Sequence, residues 1–397
     1  MINKITIAAF KSIESLELEL GILNVFVGAN GSGKSNILEA LGVLSAAADG
    51  RVTDQTLLQR GVRPGVPKLY KSAFHKQKSK QLTHIYFSAT SDDSHYDVSL
   101  NNPLKSPLPA WRFKTELLER GSVKIVSRGP ALRDNPNTEN GLAALKAVEL
   151  SKDDSTLAFL RALQGYVIYS PTTPVLRGVA TETQPRQPLG LSGGRLPDAV
   201  HELLLGRKEN EPARKASFDA LHLIGWAKNY GSASSADLHL SEAASATGKV
   251  IRFTDRFMKE GRNVLSGYDA SEGALYILFL AVLAVHPDAP AFCAIDNADH
   301  GLNPGLAKSL IQRFSEWLLS SKKPRQILMT SHNPAVLDGL PLQNDQVRLF
   351  AVDRDNQGKT VVQRVTLSEK LKELAAKKGW PLSRLWMNKL IGGMPDV

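Results

Sequence analysis

One octapeptide constrains this chain more than any other stretch: Gly28-Ala29-Asn30-Gly31-Ser32-Gly33-Lys34-Ser35. It fits G-x-x-x-x-G-K-[ST], the pattern of a phosphate-binding loop. Residues 23–27 before it are an apolar run of strand formers, and residues 36–41 after it have helical spacing, so the loop sits between a strand and a helix. Glycines let the backbone curl so that consecutive N–H groups converge on an anion, and the helix that follows adds its positive end. Lys34 offers a charge to the outer phosphates, and the Ser35 hydroxyl is a hard oxygen of the kind that ligates Mg²⁺. Asn30, Gly31, Ser32, Gly33, Lys34, Ser35 and Asn36 are therefore the candidate nucleotide-binding residues.

The second half of such a site is found far along the chain. Residues 291–295 are an apolar strand that ends in Asp296, a carboxylate placed to hold Mg²⁺ beside Ser35. Earlier, Asp269-Ala270-Ser271-Glu272-Gly273 opens the apolar helix that begins at Ala274, so Ser271 and Gly273 offer a hydroxyl and free N–H groups at a helix start. Leu191-Ser192-Gly193-Gly194-Arg195 looks more like a consensus signature, but no acid-terminated strand follows it closely, and it reads as a loop and helix start. Beyond Asp296 come Gly301-Leu302-Asn303-Pro304 and then the strand 326–330, which runs into Ser331-His332-Asn333-Pro334. His332 is the candidate for a γ-phosphate contact.

These motifs, in this order, resemble the ABC-type ATPase heads of the SMC, RecF and OLD-like group. Phe10-Lys11-Ser12 also matches the group's start, which adds Lys11 to the nucleotide-binding candidates. The resemblance implies ATP and Mg²⁺ as ligands. It also implies two heads that sandwich ATP, with Ser271 and Gly273 of one chain closing on the nucleotide held by Lys34 of another, so at least a homodimer. The expected fold class is α/β: a P-loop NTPase of ABC type, with a mixed sheet, an inserted α+β lobe and a helical C-terminal tail. Residues 1–50 and 250–365 are expected to form the core, 51–249 the inserted basic and helical lobe, and 366–397 the tail.

The chain departs from the group at one position. The residue after the Walker B Asp is normally a Glu that polarises the attacking water, and here it is Asn297. An amide orients water but does not take its proton, so the expectation is tight binding and slow turnover, with Asp299 or His300 as substitutes for the missing Glu.

Composition narrows the function classes. The 49 basic and 39 acidic residues leave a net charge of +10, which suits DNA or an acidic partner. The basic surplus is concentrated between Asp54 and Asp92, where Arg60, Arg63, Lys68, Lys71, Lys76, Lys78 and Lys80 meet no acid; this is either a solvated face or a phosphate-contacting patch. The single cysteine, Cys293, rules out an internal disulfide and suits a cytoplasmic protein, and no apolar run is long enough to span a membrane. The region 51–250 is too short and too poor in heptads for SMC-type arms, and the residues after His332 leave no room for a Toprim nuclease. Asp353 and Asp355 read as a hairpin turn, and residues 368–378 as an amphipathic helix. Trp380 and Trp386 either pack back on the head or form a docking surface. Stand-alone heads of this size look like the ATPase subunits of bacterial antiphage systems such as Septu, or the PARIS-type systems. That implies a scaffold and sensor controlling a separate effector, such as an HNH nuclease. The alternative is a RecF-like DNA-repair ATPase that binds DNA directly.

Overall fold

A computed structural model describes residues 1–75, 84–129, 138–238, 248–321, 323, 325–366, 377–388, 390 and 391. Lys76, Lys78, Lys80, the loop around Pro136 and most of the expected helix 368–378 lie outside the described residues.

The core sheet has the order β15-β14-β3-β13-β12-β8. These strands are β15 (Thr360–Val365), β14 (Val347–Arg354), β3 (Leu23–Gly28), β13 (Gln326–Ser331), β12 (Phe292–Ile295) and β8 (Ile168–Tyr169). All neighbours are parallel except β14 and β15, which form an antiparallel hairpin. A parallel sheet covered on both faces needs continuously apolar strands, and every residue of β3, β12 and β13 is buried. The phosphate-binding strand β3 is central, with β14 on one side and β13 on the other. The C-terminal ends of β3, β12, β13 and β14 deliver Gly28, Asp296, His332 and Arg354 to one edge of the sheet, where open α/β sheets place ligands.

A second, antiparallel sheet has the order β2-β1-β4-β5-β6-β7. It comprises β2 (Ile13–Glu19), β1 (Lys4–Phe10), β4 (Ile85–Thr90), β5 (Ser94–Asn101), β6 (Arg112–Arg120) and β7 (Val123–Arg128). Its first turn is tight: Phe10 pairs with Ile13, and Lys11 takes a left-handed φ of 48°. The expected boundaries at 50 and 249 are crossed by hydrogen bonds. β4, beyond residue 50, pairs with β1, and β8, inside the expected lobe, pairs with β12 of the core. A third sheet, β11-β10-β9, contains β11 (Val264–Ser266), β10 (Lys249–Asp255) and β9 (Ala227–Ser234).

The helix Glu272–Val285 buries every residue from Ala274 to Val285. A helix apolar all round must be enclosed, and the helices Leu196–Gly206, Glu211–Ile224 and Pro304–Leu319 pack around it. The tail returns to the same core. In the helix Leu382–Met387, Leu385 and Trp386 are buried, and Ser383 donates its N–H and hydroxyl to Asp338 at 2.8 and 2.7 Å. Of the two readings of the tail tryptophans, packing back on the head holds for Trp386.

Candidate nucleotide site

The cleft at the strand ends has a volume of about 370 Å³ and is lined by Asn30, Gly31, Gly33, Lys34, Ser35, Asn36, Arg63, Asn297, His332 and Arg354. The loop's backbone explains its glycines. Gly31 and Gly33 have φ of 77° and 112°, values costly for any residue with a Cβ. At Gly33 an added Cβ would also stand 2.1 Å from Thr360 Oγ1.

The Lys34 ammonium lies in the curl of the loop and donates to Gly28 O at 2.8 Å and Ala29 O at 2.9 Å. Burial lowers its pKa to about 8, against the pull of Asp296 and Asp299 in the other direction. Ser32 is buried too, and its hydroxyl has no hydrogen-bond partner among the described residues. An unpartnered hydroxyl and a cation held only by carbonyl oxygens, in a curl too tight for a Cβ, fit an anion.

The Ser35 hydroxyl donates to Asp296 Oδ2 at 3.0 Å and Oδ1 at 3.2 Å. A hydroxyl beside a carboxylate is the hard-oxygen donor pair that suits Mg²⁺. Thr330 organises this corner. Its hydroxyl donates to Asp296 Oδ1 at 2.6 Å and accepts from Asn297 N at 2.8 Å. Asn297 itself has φ of 56°, a left-handed conformation that Asn tolerates better than most residues. Thr330→Val should weaken the Mg²⁺-dependent part of ATP affinity about tenfold, since it leaves the Asn297 N–H without its partner and the Asp296 carboxylate unaimed. ATP titrations with and without Mg²⁺ check this, and an unchanged Mg²⁺ increment would show that Thr330 does not aim Asp296.

Asp299 does not line the cleft. Its carboxylate accepts from the N–H groups of His332 at 3.1 Å and Asn333 at 2.7 Å, so it shapes the His332 loop. Burial, followed by the charge of Lys34, lowers the His332 pKa, so the ring is neutral at pH 7. His300 faces away, toward the helix Glu272–Val285, with Nδ1 3.4 Å from Glu272 and 3.2 Å from the Tyr276 hydroxyl.

Lys11 lies in an adjoining groove that shares Asn36, Arg63 and Arg354 with the cleft. Its ammonium pairs with Glu39, whose other oxygen accepts from Arg63 Nε at 2.6 Å. Ser12 accepts from Asn36 Nδ2 at 2.7 Å and shares a hydrogen bond with Thr360 at 2.7 Å, which ties the first hairpin to the loop. Arg63 and Arg354 were not singled out from sequence as cleft residues. Arg354 donates to Gly31 O at 2.9 Å, although 323 positions separate the two in sequence. The nearest sequence signal was the basic surplus around Arg63, and nothing local marked Arg354.

Ser271 and Gly273 do not line the cleft of their own chain. Ser271 is exposed at the N-cap of its helix, and its side chain makes no capping bond. The loop at 191–195 is filled from within: Glu182 Oε2 accepts from Ser192 N at 2.9 Å and Gly194 N at 3.1 Å. Its N–H groups thus hold a carboxylate of the chain itself.

Three of the four described members of the basic stretch are committed as well. Arg60 is buried against Asp49 at 2.7 Å, Arg63 holds Glu39, and Lys71 donates to Asn101 at 2.8 Å; of its described members, Lys68 is the exposed one without such a partner.

Comparison with known proteins agrees with this geometry. Residues 1–106 match the family described as "AAA ATPase domain", and residues 186–338 the family described as "AAA domain, putative AbiEii toxin, Type IV TA system". An uncharacterized protein of Methanocaldococcus jannaschii is 29% identical over 163 residues, covering 37% of this chain and 74% of that protein. Among solved structures, an SMC head bound to the C-winged helix domain of ScpA aligns with a TM-score of 0.53 at 13% identity, over 92% of this chain and 98% of that one. The Pyrococcus furiosus Smc head domain, with an extended coiled coil and bound to the C-terminal domain of ScpA, aligns with a TM-score of 0.50 at 12% identity, over 95% and 99%. The chain has the P-loop ATPase fold seen in SMC heads.

Proposed function

We propose that the protein is an ATP-binding, slowly hydrolysing ATPase that closes as a homodimer over MgATP and in that state controls a separate effector protein. The observation that carries the slow cycle is the cleft lining. Gly31, Gly33, Lys34 and Ser35 would hold the phosphates, and Ser35 with Asp296 would hold Mg²⁺. Yet Asn297 stands where a water-polarising carboxylate is needed, and apart from Asp296, committed to Ser35 and Thr330, no Asp or Glu is among the described residues at the cleft. His332, neutral at pH 7, is the one side chain of that lining able to take a proton. The free Ser271 hydroxyl at a helix start, outside its own chain's cleft, supports a site completed by a second copy.

The effector reading, with an HNH nuclease of the Septu kind as the model partner, rests on the order of the head's motifs. The toxin–antitoxin description attached to the family matched by residues 186–338 is in keeping with a defence role. The RecF-like alternative leans on the basic stretch, of which Arg60, Arg63 and Lys71 are engaged internally and Lys68 is exposed.

The experiment is MgATP turnover and oligomeric state on one sample. The expected result is an ATP-dependent dimer with steady-state turnover at least about 100-fold below the ~10 s⁻¹ typical of enzymes. Turnover near that typical value, or a protein that stays monomeric with saturating ATP, would overturn it.

A further inference from the structure

The helices Leu196–Gly206 and Glu211–Ile224, with β9, enclose a groove of about 530 Å³ on the side of the molecule built around the third sheet. Leu204 and the ring of Tyr230 form part of its apolar lining, and the Tyr230 hydroxyl donates to Ser217 O at 3.1 Å. Phe218 lines the groove and is 70% exposed. Arg207, Lys208 and Arg214 also line it, and among the described residues no Asp or Glu does.

Arg60, Arg63, Arg120, Arg313 and Arg348 each pair with a carboxylate, whereas Arg207, Lys208 and Arg214 have no ion pair among the described residues. Asp219, on the same helix as Arg214 and Phe218, is engaged by Trp317 Nε1 at 2.9 Å. Three unpaired cations around an apolar floor with a large exposed aromatic define a complementary ligand: negative charges spaced around a bulky apolar side chain.

We propose that this groove is the docking site for an acidic peptide segment of a partner protein, with an apolar anchor on the floor and carboxylates facing Arg207, Lys208 and Arg214. Aromatic and Arg side chains around a desolvated centre are where binding energy concentrates in such contacts, and the surrounding charge selects the partner and speeds encounter. A nucleic-acid backbone would satisfy the cations but offers nothing aliphatic for the floor. The site also has a route to the nucleotide. Glu211–Ile224 packs on Glu272–Val285, the helix that Ser271 begins, so an occupant bears on the element that would close over a second copy's ATP. That consequence rests on the function proposed above. The docking step does not, and it is measured without nucleotide.

The test is fluorescence anisotropy with the full-length protein and a fluorescein-labelled short peptide of glutamates flanking a central leucine. Its glutamine counterpart and a single-stranded oligonucleotide serve as comparison probes. The glutamate peptide should bind, the glutamine peptide should not, and the combined Arg207→Glu and Arg214→Glu change should weaken binding at least about tenfold. Phe218→Ala removes an exposed ring, so it should weaken binding without disturbing folding, which circular dichroism verifies. The assignment is overturned if the glutamate peptide fails to bind, if the glutamine peptide binds equally well, or if charge reversal abolishes oligonucleotide binding and leaves peptide binding intact.

Discussion

Lys34→Ala should weaken MgATP binding by at least about 100-fold while leaving thermal stability unchanged or slightly raised. The loss follows from removing the one ammonium inside the loop, since a charge-assisted contact to phosphate is worth about 3 kcal/mol in a dry site. The unchanged stability follows from what Lys34 does in the free protein. It is buried, its hydrogen bonds go to the carbonyl oxygens of Gly28 and Ala29, and burial, outweighing the pull of Asp296 and Asp299, has already lowered its pKa to about 8. Folding therefore gains little from the charge. The same pKa gives binding a pH dependence with a definite sign. Below about 8 the free site is charged and ready for an anion. Above it the proton must be taken up on binding, so affinity should fall by up to tenfold per pH unit. Calorimetric titrations of wild type and variant between pH 7 and about 9 check both statements. A variant that binds ATP normally, or a wild type with flat affinity across that range, would remove Lys34 from the site.

Asn297→Glu should raise the rate of the hydrolytic step at least about tenfold, and by more if the new carboxylate meets the water squarely, because a positioned general base contributes 10²–10⁴. The gain comes with a loss of stability of about 1 kcal/mol, since residue 297 sits at φ 56° and Glu tolerates the left-handed region less well than Asn. Single-turnover hydrolysis separates chemistry from product release. The pH profile identifies the base. With Asn297 in place, His332 is the candidate, and burial beside Lys34 lowers its pKa from 6.5, so its rate should be flat near neutrality and fall only in acid, as the ring is protonated. In the Glu variant the acid limb should move lower still. An unchanged rate and profile would mean that residue 297 does not face the attacking water, and His332→Ala would then be expected to abolish turnover.

Much of the site was legible because its parts are local. A strand, a glycine curl and a helix start within one octapeptide and its flanks dictate their own backbone, so Gly28–Ser35 could be read directly, as could a carboxylate at the end of an apolar strand at Asp296 and a histidine at the end of the next at His332. The α/β class followed from the same alternation of apolar runs. Phe10-Lys11-Ser12 was legible as a motif, though its physical use, a tight turn that hands Ser12 to Asn36 and Lys11 to Glu39, was not.

What only the tertiary structure decided lies between distant segments. Arg63 and Arg354 reach the cleft because a helix, a hairpin and the loop converge, and no local pattern announces a contact such as Arg354 to Gly31. The signature-like loop at 191–195 has every local mark of an anion site and is filled by Glu182, a partner whose presence depends on how the preceding turn packs. Trp386 could equally have been an exposed anchor until the tail was seen to fold onto Asp338 and the head's core. The physical reason is the same in each case. Backbone curvature and periodicity are set by neighbours in sequence, whereas charge pairing and burial are set by whichever segments the hydrophobic core brings together.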